Sequence, residues 1–124
     1  KGSGDSSVDE IWFGIKDKRN TLCKDLSKGQ RQKVMLAGAL IHKPKLLFLD
    51  EPFVNLDPIY QRKCRELLQE IVEGGGTIFL CTHILEVAER LCTRVAVIDR
   101  GHVLASGSKD RTILHQRINS WANY

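Results

Sequence analysis

Short apolar runs alternate with segments of helical spacing through the middle of the chain. The runs "KLLFLD" at 45–50 and "TIFLCT" at 77–82 are short and nearly continuous in apolar residues, which is typical of buried strands. Between them, Asp57 and Pro58 predict a helix start, because aspartate caps helices and proline suits the first helical position. The glycines at 74–76 predict its end.

The flanking segments predict two further helices and a hairpin. A helix is expected from about Gly29 to His42, before Pro44, and another over 84–91, where apolar residues recur at helical spacing. The runs "RVAVID" at 94–99 and "HVLASG" at 102–107 predict two strands joined by a tight turn. The tail from Ser108 to about 119 is expected to be helical.

This alternation predicts an α/β fold with at least two parallel strands. We expect strands 46–50, 77–81 and 94–98 to lie in one mostly parallel sheet flanked by helices. The strand at 102–107 should pair antiparallel with the one before it.

Composition bounds the class of protein without naming a function. The chain has 124 residues, 42% of them hydrophobic and 27% charged, which fits one globular domain or a piece of one. Its net charge of +4 is compatible with an anionic ligand but does not identify one. The longest apolar run, "VMLAGALI", has 8 residues, against the roughly 20 that a membrane-spanning helix needs. The four cysteines are widely spaced, which favours reduced thiols over a metal site.

Two adjacent carboxylates, Asp50 and Glu51, stand where the first apolar strand ends. In open α/β sheets, ligands bind beyond the carboxyl ends of the strands. A carboxylate there can hold Mg²⁺, usually through water, and its neighbour can orient or deprotonate an attacking water. On its own, such a pair is more typical of a capped turn with a solvated glutamate.

Two more polar residues are placed near strand or helix ends. His83 follows the second apolar strand, so it is expected at the same sheet edge, where a histidine can donate to a phosphate oxygen. Taken alone it is more typical of a surface histidine. Asp57 is predicted to be an N-cap and to have a further role.

The segment "LSKGQRQKV", residues 26–34, has features of an anion-binding helix start. Ser27 supplies a hydroxyl, Gly29 lets the backbone approach an anion closely, and Gln30 adds an amide. The alternative is a serine N-cap before an amphipathic helix.

Together these motifs, in this order and spacing, closely resemble the ATPase domain of ABC transporters. "LSKGQ" looks like the signature motif, "LLFLDE" like the Walker B strand with its catalytic glutamate, "VNLD" like the D-loop, and His83 like the switch histidine. The resemblance covers residues 23 to about 107. Lys28 departs from it, since glycine is commonest there. The stretch at 86–107 is similar to ATPases that serve export-type permeases.

The resemblance implies a role for each motif residue. In the family, two ATPase domains bind head to tail, and each ATP lies between the P-loop of one domain and the signature motif of the other. The implied roles are: nucleotide binding in trans for Ser27, Gly29 and Gln30, magnesium binding through water for Asp50, catalysis for Glu51 and His83, and the dimer interface for Asn55 and Asp57.

The resemblance also implies cofactors, partners and a location. ATP and Mg²⁺ are the expected ligands, and a second ATPase domain and a membrane permease are the expected partners. Nucleic acid is not expected. The expected location is cytoplasmic, at the inner face of the cell membrane.

A P-loop is missing from these residues. Its pattern is G-x-x-x-x-G-K-[ST], and no glycine of this chain is followed by lysine. We therefore expect the C-terminal half of an ATPase domain, inactive alone and dependent on a missing N-terminal lobe. The expected divisions are a linker or cloning remnant at 1–7, part of the helical subdomain with the signature motif at 8–44, the ATPase core at 45–107 and a helical tail at 108–124.

Two alternatives remain open from the sequence. One is the C-terminal lobe of an SMC-like chromosome or DNA-repair ATPase, but such chains carry a long coiled coil upstream and no heptads occur here. The other is a non-catalytic interaction module. The presence of both Glu51 and His83 argues against loss of the parent activity.

Overall fold

The computed structural model describes residues 14–110, together with Gln116 and Ser120. The α-helices in this part are α1 (Lys28–Leu40), α2 (Pro58–Glu73) and α3 (Leu85–Leu91), and the strands are β1 (Leu46–Asp50), β2 (Thr77–Cys81), β3 (Arg94–Asp99) and β4 (His102–Ser108). Short 3-10 turns span Lys16–Lys18 and Cys23–Asp25. The chain divides into two compact units, Lys1–Cys81 and Thr82–Tyr124, and each is described by itself. The α/β class is confirmed.

In the first unit, β1 and β2 form a parallel pair, with Phe48 opposite Phe79. Both strands lie where the apolar runs predict them. Leu47 and Leu49 are buried, whereas Phe48 is 69% exposed and Phe79 is 60% exposed. The expectation of fully buried strands is therefore wrong for one face of this pair, because the core of the unit packs against the other face only.

The single sheet expected over 46–50, 77–81 and 94–98 is not formed. The described strands make two separate two-stranded sheets, β1 with β2 and β3 with β4. The apolar pattern of a strand records which face is buried, but it does not record which neighbour the strand pairs with. The predicted antiparallel pairing of β3 with β4 is confirmed, with an irregularity between Val97 and Ile98.

Helix α2 begins and ends where the sequence predicts. The Oδ1 atom of Asp57 accepts hydrogen bonds from the backbone N–H groups of Ile59 at 3.0 Å and Tyr60 at 3.1 Å, which confirms the N-cap. At the other end, Gly74 is the C-cap and Gly75 takes a positive φ of 91°, a conformation that glycine adopts at little cost.

The core of the first unit lies between α1, α2 and one face of the β1–β2 pair. Its buried apolar residues are Ile15, Leu26, Leu36, Ala37, Leu40, Leu47, Leu49, Phe53, Leu56, Cys64, Leu67 and Leu68. Helix α1 contributes residues from its middle and end, which leaves its N-terminal turn at the edge of this core. The N-terminal turn of α1 lies beside the residues that follow β1, since position 29 is close to the carbonyl oxygen of Asn55.

Among the described residues, the second unit contains the short helix α3 and the β3–β4 pair. None of the residues of α3 is buried. Lys109, just after β4, donates through Nζ to the carbonyl oxygen of Glu89 and through its backbone N–H to that of Thr93, both at 3.2 Å.

Parts of the predicted termini lie outside the described residues. The predicted tail helix does not begin at Ser108, because β4 extends to that residue and Lys109 and Asp110 form a turn. Gln116 and Ser120 are helical, and the other residues of the tail lie outside the described residues. The same holds for the linker expected at 1–7 and for residues 8–13. Within the described part, no helix combines the length and apolar character needed to cross a membrane.

Candidate functional site

A capping box begins α1. The hydroxyl of Ser27 accepts from the backbone N–H of Gln30 at 3.1 Å, and the side-chain oxygen of Gln30 accepts from the backbone N–H of Ser27 at 3.0 Å. The N-cap alternative for Ser27 is thus confirmed. It is compatible with an anion-binding role, because a hydroxyl that accepts a hydrogen bond still has a proton to donate.

The second residue of α1, Gly29, lies against the segment that follows β1. A Cβ at this position would be 2.7 Å from the backbone carbonyl oxygen of Asn55, closer than real Cβ atoms approach. The sequence predicts that Gly29 admits an anion. In the structure, the absence of a Cβ at Gly29 also leaves room for the backbone carbonyl group of Asn55.

The residues after β1 make a tight turn. Asp50, the last residue of β1, is exposed, and the backbone N–H of Glu51 donates to the carbonyl oxygen of Cys81 at 2.9 Å. Glu51 and Asn55 both take positive φ values, 45° and 63°. Residues other than glycine adopt this conformation at a cost, so the surroundings must hold the turn in place.

Two glutamines hold the backbone of this turn. Gln32 of α1 donates through Nε2 to the carbonyl oxygen of Pro52 at 2.8 Å, and the same atom lies 3.5 Å from that of Glu51. Gln61 of α2 donates through Nε2 to Leu56 at 3.0 Å and Phe53 at 3.3 Å. Sequence reasoning missed both residues, since a half-buried glutamine on a helix carries no local signal of its partner.

Most of the predicted site residues belong to the first unit. The signature segment Ser27–Gln30, the carboxylates Asp50 and Glu51, and Asn55 and Asp57 all belong to it. His83 belongs to the second unit, where it is exposed and follows β2 in sequence. Beside it, the backbone N–H of Ile84 donates to the hydroxyl of Thr82 at 3.1 Å, which shapes the start of α3.

The titratable groups of the first unit include one strongly perturbed thiol. Burial raises the pKa of the Cys64 thiol to about 11, partly offset by the positive charge of Lys33. Cys64 lies in the α2 core rather than at the turn, so this shift concerns stability. Among the described residues, no group of three or more His, Cys, Asp or Glu side chains is placed to hold a metal ion.

Comparison with known proteins agrees with these motifs. A sequence family described as ABC transporter matches residues 5–54. A solved structure titled "Structure of ATP binding subunit of ABC transporter" superposes with a TM-score of 0.75 and 30% identity, over 95% of this chain and 51% of that one.

The relatives by sequence include ATP-binding proteins named for export and ATP-binding proteins named for import. The chain is 44% identical over 102 residues to the Nod factor export ATP-binding protein I of Rhizobium leguminosarum bv. viciae, covering 82% of this chain and 33% of the relative. It is 46% identical over 96 residues to the methionine import ATP-binding protein MetN 1 of Listeria monocytogenes serotype 4b, covering 77% and 28%.

The chain thus spans about a third of the length of these two relatives, a share of 33% and 28%. Its motifs, its fold and both kinds of comparison agree. The chain belongs to the ABC transporter family, and what it resembles there is the ATP-binding subunit.

Proposed function

We propose that this chain supplies the signature motif, Walker B strand, D-loop and switch histidine of an ABC transporter ATPase. The observation that carries the proposal is the close contact between Gly29 and the carbonyl oxygen of Asn55. It joins the predicted nucleotide-binding segment to the turn that carries the candidate catalytic glutamate. The P-loop that holds the triphosphate is supplied by residues outside this chain.

In this proposal Glu51 is the general base. Its carboxylate accepts a proton from a water molecule whose oxygen attacks the γ-phosphorus of ATP. The bond between that phosphorus and the bridging oxygen breaks, and ADP and inorganic phosphate leave. His83 donates a hydrogen bond to an oxygen of the γ-phosphate and so opposes the charge that builds up there.

Asp50 is the proposed magnesium residue. It is an exposed carboxylate at the carboxyl end of β1, and oxygen ligands of this kind suit Mg²⁺. Because no cluster of ligands surrounds it in the described part of the chain, Asp50 would hold the ion through water and together with the phosphates of ATP. The ion, when bound, neutralises charge on the phosphates.

A second ATPase domain would bind at the N-terminal end of α1. Ser27, Gly29 and Gln30 would contact the nucleotide held by that domain, and Asn55 and Asp57 would lie at the interface. Ser27 and Asn55 are exposed, and Gly29 contacts the backbone of Asn55, so the two segments form one continuous surface.

The wider setting is proposed from the relatives. Proteins named for Nod factor export and for methionine import both match, so the family resemblance alone does not set the direction of transport. We propose an export-type permease as partner, on the resemblance of residues 86–107. The proposed location is the cytoplasmic face of the cell membrane, and nucleic acid is not proposed as a ligand.

The experiment compares ATP hydrolysis by this chain alone and by a protein in which a P-loop-bearing N-terminal lobe precedes it. We expect negligible hydrolysis and unsaturated ATP binding from the chain alone, because positioning and electrostatics supply nearly all of phosphoryl-transfer catalysis. The complete domain should hydrolyse ATP. Equal activity with and without the lobe would contradict the proposal.

A further inference from the structure

A turn with two strained residues needs external support, and α1 supplies it at two points. Gln32 binds the beginning of the turn at Pro52, and Gly29 touches its end at Asn55. These two residues are one helical turn apart on α1, so they lie on the same face. The turn over 51–55 is thereby held against a single rigid element.

The hydrogen bond from Gln32 acts next to the candidate base. Pro52 directly follows Glu51, and the Gln32 amide also lies 3.5 Å from the carbonyl oxygen of Glu51 itself. The φ of 45° at Glu51 sets the direction in which its side chain leaves the backbone. Fixing the two carbonyl oxygens fixes the peptide planes on either side of Pro52, and with them the placement of Glu51.

We propose that Gln32 is a positioning residue for Glu51. Through this residue, helix α1 with its signature motif is coupled to the turn that carries the base. This inference rests on the proposed function of Glu51. Gln32 acts through the backbone, because its amide donates to the carbonyl oxygen of Pro52 and lies near that of Glu51.

Gln61 provides the matched control. It is also a half-buried glutamine that donates from Nε2 to carbonyl oxygens of the turn region, but it belongs to α2 and binds Phe53 and Leu56 rather than Glu51 and Pro52. If Gln32 has a purely structural role, Gln32→Leu and Gln61→Leu should lose similar activity when they lose the same amount of stability. A positioning role predicts that Gln32→Leu lowers kcat clearly more than Gln61→Leu does.

The test uses the protein in which a P-loop-bearing N-terminal lobe precedes this chain. ATP hydrolysis is measured for Gln32→Leu, Gln61→Leu, Glu51→Gln and the double variant Gln32→Leu/Glu51→Gln. We expect Gln32→Leu to lower kcat on the order of 10-fold with KM for ATP unchanged, as misplacement of a reacting group does. In the Glu51→Gln background the same change should have no further effect, because the group that it positions is gone.

Two outcomes overturn the inference. One is an equal loss of kcat in the Gln32 and Gln61 variants. The other is that Gln32→Leu lowers kcat by the same factor in the Glu51→Gln background as in the wild type. Should Gln32→Leu not fold, Gln32→Asn replaces it, since the shorter side chain withdraws the amide while keeping its polarity. Glu51→Gln alone reports on the proposed function. If Glu51→Gln leaves turnover unchanged, the proposed function of the site is wrong. If Glu51→Gln lowers turnover strongly but Gln32→Leu leaves kcat unchanged, only the positioning role of Gln32 is refuted.

Discussion

The α-carbon of Gly29 faces the carbonyl oxygen of Asn55 so closely that a Cβ at position 29 would lie 2.7 Å from that oxygen. Because the obstructing atom belongs to the backbone, a larger residue cannot be accommodated by turning a side chain. The contact fixes the distance between the start of α1 and the turn after β1. It is the point at which the start of α1 meets the backbone of the turn that carries Glu51.

Gly29→Ala should therefore destabilise the chain, although alanine is the better helix former. We expect a fall of about 1–3 kcal/mol in the free energy of unfolding, the range for an overpacked contact. Gly38→Ala is the control, since Gly38 lies in the same helix and a Cβ added there would meet nothing within 4 Å. That variant should gain about 0.5–1 kcal/mol. Urea unfolding of both variants checks the prediction, and equal shifts would contradict it.

The N-cap of α2 gives a second prediction. Asp57→Ala removes the acceptor for the N–H groups of Ile59 and Tyr60 and should cost about 1 kcal/mol of stability. Asp57→Asn keeps an oxygen acceptor and should cost far less. Thermal unfolding separates the two variants. A loss for asparagine as large as that for alanine would show that the charge of Asp57, rather than its capping bonds, matters for stability.

A third prediction concerns pH. Burial raises the pKa of Cys64 to about 11 from its ordinary value of 9.0. Below about pH 9 both folded and unfolded chains keep this proton, so the thiol does not alter stability. Between about pH 9 and 11 the unfolded chain loses the proton and the folded chain keeps it, so stability falls as pH rises. Urea unfolding should show a steeper fall in the wild type than in Cys64→Ala. Parallel pH profiles would contradict the shift.

The exposed face of the β1–β2 pair gives a fourth prediction. Phe48 and Phe79 lie side by side there, with ring centroids 5.7 Å apart, and both are largely exposed. Exposed apolar faces promote association, so the isolated chain should self-associate. Phe48→Lys should reduce this. Leu22→Lys, which changes another exposed apolar residue away from the sheet, should reduce it less. A strictly monomeric wild-type chain in sedimentation at high concentration would contradict the prediction.

The sequence predicts local features of this chain better than pairings between distant elements. Asp57 caps α2 and glycine ends it as expected, because capping depends on neighbouring residues. The strand pattern does not reveal that β3 pairs only with β4 among the described strands, since pairing depends on residues far apart in the chain. Nor does the sequence predict that Gln32 donates a hydrogen bond to Pro52, because that bond joins residues 20 positions apart in the chain.

Glu51 is proposed as the general base of an ATPase site, and turnover by Glu51→Gln tests this role most directly. The measurement compares ATP binding and steady-state hydrolysis in a protein in which a P-loop-bearing N-terminal lobe precedes this chain, wild type against Glu51→Gln. The account predicts retained ATP binding with turnover lowered by about 10²-fold or more, as expected when a general base is removed. Turnover equal to that of the wild type would contradict it.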